Sequence, residues 1–212
     1  MRERGRFITF EGIDGSGKTT QMRLLRERLR AEGKTVFETA EPGGTEVGRQ
    51  IRRILLDSAN QDLRPTAELL LYFASRAQNV EQSILPALAE GKIVLCDRFT
   101  DSTLAYQGYA RGLGAETVLT LDRIACQGLV PDLTVLIDLD LNTGIDRTRT
   151  RNAAGATSET RLDEESAEFH RRVREAYLTI ARQHAGRFRV IDGRGTPEDV
   201  ALKVWKEVAP HV

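Results

Sequence analysis

The octapeptide GIDGSGKT, Gly12–Thr19, constrains this 212-residue chain more than any other feature. It fits G-x-x-x-x-G-K-[ST], and each part of that pattern has a mechanical reason. Glycines let the backbone curl until several N–H groups point at one anion. A helix starting at Lys18 presents its positive end to the same anion. Lys18 reaches the outer phosphates as a point charge, and the Thr19 hydroxyl can hold Mg²⁺. The flanks suit the motif. Arg6–Glu11 (RFITFE) is a β-branched and aromatic strand, and Lys18–Glu32 is a Leu-, Arg- and Glu-rich helix stopped at Gly33. The loop Gly12, Ile13, Asp14, Gly15, Ser16, Gly17, Lys18 and Thr19 therefore predicts a nucleoside-triphosphate site. Kinase, GTPase and motor remain open at this point.

Apolar strand-like runs continue to alternate with amphipathic stretches. Strands are expected at Thr35–Thr39, Ile93–Cys96, Leu133–Leu139 and Phe188–Ile191. Helices are expected at Glu46–Leu56, from Pro65 to about Glu90, and at Glu116–Cys126, Thr143–Arg151, Asp163–His184 and Pro197–Val208. Such alternation predicts a parallel sheet with helices on both faces. Ligands then sit beyond the C-terminal strand ends. No repeat or linker divides the chain, so 1–212 is read as one domain.

Composition excludes several other classes. Lys plus Arg is 31 and Asp plus Glu is 31, which argues against a nucleic-acid or membrane-surface binder. Hydrophobic residues at 40% and charged residues at 29% exclude whole-chain disorder. Cys96 and Cys126 make no disulfide framework, and Cys96, inside an apolar run, reads as a buried structural thiol. No apolar run reaches the ~18 residues of a membrane span, and the N-terminus lacks a secretory h-region. A soluble cytoplasmic protein is expected.

Among P-loop classes, a GTPase should carry N-K-x-D, which is absent. The strand Ile93–Cys96 leads instead into Asp97-Arg98. That acid can serve the metal or acceptor, and the arginine can clamp a second phosphate. FEGIDGSGKTT (Phe10–Thr20), EPGGT (Glu41–Thr45), Asp97-Arg98-Phe99 with DSTLAYQGYARG (Asp101–Gly112), and RLDEES (Arg161–Ser166) stand in one order. Together they resemble bacterial thymidylate kinase over nearly the whole chain. The resemblance implies a P-loop kinase fold with a five-stranded parallel sheet and a mobile lid at about 147–162. It also implies ATP and dTMP as substrates, Mg²⁺ as cofactor, and a homodimer.

It further implies roles for individual residues. Tyr72, where the family carries phenylalanine, would be the platform on which thymine stacks. Arg76, one turn on and on the same face, would donate to O4. Phe73 belongs to the core. Arg52 and Arg98 would hold the dTMP phosphate, with Glu41 among the acceptor-binding residues. Thr103 and Gln107 would read the polar edge of the base. Tyr106 would lie under the deoxyribose and leave no room for a 2′-hydroxyl, and Asp14 would meet the 3′-hydroxyl. Thr19 and Asp97 would serve the metal. The variable P-loop positions carry no basic residue, and the resemblance then implies the subtype in which a lid supplies the cation for the transferred group. Arg149 or Arg151 is expected to do so, from the run Arg147, Arg149, Arg151 that with Arg161 flanks the lid stretch Asn152–Thr160. The turn Asp192–Thr196 is the candidate for the adenine. In-line transfer to an acceptor that is already an anion needs no strong general base. Two rivals remain: another small-nucleotide or nucleoside kinase on this fold, and a catalytically idle nucleotide binder.

Overall fold

The computed structural model describes residues 4–154 and 159–212, and of residues 151–154 the backbone alone. Five strands form one parallel sheet: β1 (Phe7–Glu11), β2 (Val36–Ala40), β3 (Ile93–Asp97), β4 (Leu133–Asp138) and β5 (Phe188–Asp192). Their spatial order is β2-β3-β1-β4-β5. β1 is buried along its whole length between β3 and β4. That is why its sequence does not alternate between apolar and exposed polar positions.

The two-residue strand period sends neighbouring side chains to opposite faces. Ile8, Phe10, Leu95 and Ile137 pack on one face with Leu25 and Leu29 of α1 (Lys18–Ala31) and Val200 and Val204 of α9 (Pro197–Val208). Phe7, Val94 and Cys96 face the other way and pack with Val80, Ile84 and Phe99. On that same side Leu136 joins Phe73, Phe169 and Tyr177. Phe73 is thus a core residue as expected. Cys96 and Cys126 are both buried and unpaired. No described helix is long and apolar enough to cross a membrane.

Three elements differ from the sequence expectation. The long helix after Pro65 is α3 (Pro65–Asn79), a π-helical turn (Val80–Ile84) and α4 (Leu85–Ala89). The wide turn precedes Pro86, which has no N–H to donate to the preceding turn. The segment after Phe99 is helical: α5 (Thr100–Thr103) runs into a π-helix (Leu104–Ala110). The helix expected from Asp163 starts later, as α8 (Ala167–Gln183), because the Ser166 hydroxyl accepts the Phe169 N–H at 3.1 Å. The remaining helices are α2 (Glu46–Leu56), α6 (Ala115–Ala125) and α7 (Leu141–Ala154). Part of the expected lid, residues 155–158 and the side chain of Arg151, lies outside the described residues.

Candidate active site

The parallel register ends four strands on one edge, at Glu11, Ala40, Asp97 and Asp138. The segments that follow Glu11, Ala40 and Asp97 line a cavity of about 880 Å³. Gly12 has φ 137°, and a Cβ there would lie 2.5 Å from the Ile137 carbonyl oxygen. A Cβ on Gly15 would lie 2.2 Å from the Gly144 carbonyl oxygen, so this loop and α7 meet backbone to backbone. Neither position tolerates a side chain. Asp14, Gly15, Gly17, Lys18 and Thr19 line the cavity. The side chain of Ile13 packs in the core, which leaves only its main chain for phosphate. The Lys18 ammonium donates to the carbonyls of Gly12 (3.0 Å) and Ile13 (2.9 Å). Burial and the neighbouring Arg98 push it down to about 8, against the pull of Asp14 and Asp97.

Arg98 stands between the phosphate loop and the rest of the cavity. Its φ is +68°, a conformation rare outside glycine and characteristic of functional strain. Its guanidinium donates to Asp14 at 2.7 Å, the Gly12 carbonyl at 3.1 Å, Ser102 at 3.2 Å and the Tyr177 hydroxyl at 3.1 Å. Ser102 and Tyr177 donate in turn to Glu11, at 2.5 and 3.0 Å. Tyr106 donates to the second Asp14 oxygen at 3.0 Å. Burial would raise the Asp14 carboxyl, but Arg98, Lys18 and Tyr106 outweigh it and hold it well below the usual range. Burial and Asp101 push Glu11 up to about 7, against Ser102, Arg98 and the Phe99 N–H.

The residues expected to meet the base and sugar of the acceptor share this cavity. Tyr72, Arg76, Thr103, Tyr106 and Gln107 all line it. Arg76 is 1% exposed and forms a buried ion pair with Glu41. Burial opposes its charge, yet Glu41 keeps the guanidinium firmly protonated. Arg76 also donates to Thr103 at 2.8 Å, while its Nη1 is buried without a partner. An orphaned donor of that kind costs about 1–3 kcal/mol, more for a charged group, which a ligand carbonyl would recover. Asn79, which sequence reasoning missed, donates to Glu41 at 3.2 Å. Its only local signal is its place one turn beyond Arg76. Arg52 reaches the cavity rim, donating to the Pro42 carbonyl and to Glu159, both at 3.0 Å.

The cationic run splits. Arg147 lines the main cavity and approaches the Gly15 carbonyl at 3.5 Å. Arg149 lines a neighbouring cavity of about 520 Å³. The side chain of Arg151 lies outside the described residues. Arg161 is buried against Glu68 (2.6 Å) and the Leu55 carbonyl (2.5 Å), so it is a structural pin and not part of the cationic run. The turn Asp192–Thr196 is tied to the end of β4, where the Gly193 N–H donates to the Asp138 carbonyl at 2.8 Å. A Cβ on Gly193 would lie 3.5 Å from the Ser16 carbonyl oxygen.

For a metal, the Thr19 hydroxyl donates to Asp97 Oδ2 at 3.0 Å, and Asp97 Oδ1 is buried without a partner. One hydroxyl and one carboxylate with a spare oxygen fit Mg²⁺, which keeps waters and takes most other oxygens from substrate phosphates.

Comparison with known proteins agrees with this geometry. The family model described as thymidylate kinase matches residues 10–204. A thymidylate kinase of Pelobacter propionicus is 53% identical over 205 residues, covering 96% of this chain and 94% of that one. One from Syntrophotalea carbinolica is 51% identical, covering 94% and 93%. The crystal structure of thymidylate kinase from Ehrlichia chaffeensis superposes with a TM-score of 0.78 at 36% identity, covering 97% and 99%. With its phosphate loop and orphaned arginine donor on one cavity, this chain belongs to the thymidylate kinase family.

Proposed function

We propose that the cavity transfers the γ-phosphoryl group of ATP to dTMP through the following division of work. Lys18 and the loop N–H groups hold the ATP phosphates. Arg98, with Arg52 at the rim, holds the dTMP phosphate. Asp14 takes the 3′-hydroxyl, and Tyr106 lies under the deoxyribose. Tyr72 covers thymine, with Arg76, Thr103 and Gln107 at its polar edge. Thr19 and Asp97 would hold Mg²⁺, which would supply positive charge against the phosphates when bound. The acceptor is already an anion, so catalysis is positioning and charge neutralisation, completed by Arg149 or Arg151 from the lid.

The observation that carries this reading is one cavity lined together by Lys18 of the phosphate loop, by Arg98 and by Arg76. A nucleoside kinase has no acceptor phosphate for Arg98 and Arg52. A cytoplasmic homodimer is part of the same reading. Two unpaired cysteines suit a reducing compartment. Exposed Ile54, Leu70 and Ile124 on the neighbouring helices α2, α3 and α6 suit a face covered by protein.

The test is ADP release from MgATP with dTMP, dUMP, the ribose form of TMP, dCMP, dGMP and AMP as separate acceptors. Turnover with dTMP well above dCMP, the purines and the ribose form is expected. ATP binding without acceptor-dependent ADP would favour the idle nucleotide binder.

A further inference from the structure

Glu68 sits in the first turn of α3, fully buried, one turn before Tyr72 and two before Arg76. Nothing in the phosphoryl transfer above uses it. Its Oε1 accepts from Gln107 Nε2 at 2.8 Å and from Arg111 Nε at 3.3 Å. Its Oε2 accepts from Arg161 at 2.6 Å and Arg111 at 3.3 Å. Burial opposes its charge, but these partners outweigh burial and keep it ionised.

An ionised carboxylate only accepts, so the end of the Gln107 amide facing Glu68 has to be the nitrogen. The Gln107 side chain lines the cavity, and its oxygen is then the end left for a ligand. Arg76, a donor only, lines the same cavity. An amide oxygen offered to the base complements an edge with a ring N–H. It opposes an edge with a bare ring nitrogen.

We propose that Glu68 is a positioning residue for base selection: by taking the amide nitrogen of Gln107 it turns the amide oxygen to the acceptor's base and so favours thymine over cytosine. This rests on the reading that Gln107 meets the base. Arg161 adds a connection, since it ties Glu68 to the carbonyl of Leu55.

The experiment measures dissociation constants and kcat/KM for dTMP and dCMP, with KM for ATP, in Glu68→Gln, Gln107→Ala and the double variant. A neutral amide at position 68 can present either end, so Gln107 is free to turn. The dTMP-to-dCMP preference should fall about tenfold or more in Glu68→Gln, the scale of a donor–acceptor mismatch at a built polar site. KM for ATP should change less than twofold. In the Gln107→Ala background the same substitution should change the preference no further. Equal loss for both acceptors would make Glu68 merely structural and overturn the proposal. An unchanged preference in Gln107→Ala alone would instead refute the role given to Gln107 itself. If Glu68→Gln does not fold, Glu68→Asp keeps the charge for Arg111 and Arg161 while drawing back from Gln107. It should lower the preference in the same direction, and an unchanged preference there refutes the proposal.

Discussion

Replacing Glu11 by glutamine should make the protein less sensitive to alkali. Glu11 is buried at the end of β1 and accepts from the Phe99 N–H (2.8 Å), Ser102 and Tyr177. Burial and Asp101 push it from an ordinary 4.5 up to about 7. The folded state therefore binds this proton more tightly than the unfolded state. Between those two values the folded chain holds more protons, so stability falls as pH rises. A shift of this size corresponds to roughly 3 kcal/mol lost between pH 5 and pH 8. Glutamine is nearly isosteric with the protonated acid and keeps one acceptor oxygen, while the hydroxyls of Ser102 and Tyr177 can rotate to accept from its nitrogen. The assay is thermal unfolding from pH 5 to 8.5 for both proteins. Near pH 5 they should melt within a few degrees of each other. At pH 8 the variant should melt about 10 °C higher, at roughly 2–4 °C per kcal/mol for a domain of this size. A difference in melting temperature that stays flat with pH would refute the reasoning.

Other expectations concern the reaction itself. Lys18 is pushed down to about 8, so ATP affinity should weaken above that pH, approaching tenfold per unit, when followed by calorimetry; pH-independent affinity up to pH 9.5 would contradict this. Of Arg149→Ala and Arg151→Ala, at least one should lose about 100-fold or more in kcat with little change in KM for dTMP. If both keep full kcat in steady-state assays, the lid assignment fails and Arg147, already in the cavity, takes its place. Tyr106→Ala should lower the preference for dTMP over its ribose form at least tenfold, because ring bulk does the excluding, whereas Tyr106→Phe should largely keep it. Equal preference in all three proteins would remove Tyr106 from sugar selection.

The parts of the fold legible in the sequence were those with local causes. β1, β3 and β4 are apolar because both faces are covered, and the phosphate loop is eight consecutive residues. The helix over Thr100–Ala110 was not legible, since TDST and Gly108 give no apolar period and most of the segment winds as a π-helix. Ser166 hid the true start of α8 because the acidic residues before it also suit a first helical turn. The site divides in the same way. Lys18, Thr19, Asp97 and Arg98 fall inside contiguous motifs, and Tyr72 and Arg76 share one helix face. Glu68, Gln107, Arg111 and Arg161 meet across up to 93 positions, and nothing local marks them as a group. Arg161 shows the consequence: grouped with the arginine run it read as part of the lid, while its partner Glu68 lies on the distant helix α3.

The carboxylates in and behind the cavity share one physical task. Asp14 holds Arg98 and Tyr106, Glu11 holds Ser102 and Tyr177 behind Arg98, Glu41 holds Arg76, and Glu68 holds Gln107. Arginine and glutamine have more donors than one ligand contact needs, on long side chains with many rotamers. A carboxylate that occupies some of those donors fixes both where the side chain lies and which atom remains for substrate. Hydroxyl or backbone acceptors alone would fix such donors less firmly, because charge-assisted hydrogen bonds are about twice as strong. Burial of so many charges works against stability, and a buried pair is often no more stable than an apolar one. The arrangement therefore makes sense as preorganisation for a small anionic substrate: the ordering entropy of Arg98, Arg76 and Gln107 is spent on folding, before dTMP arrives. Neutral isosteres at Glu11 and Glu68 separate the two effects, since the first should raise stability at pH 8 and the second should lower discrimination between bases.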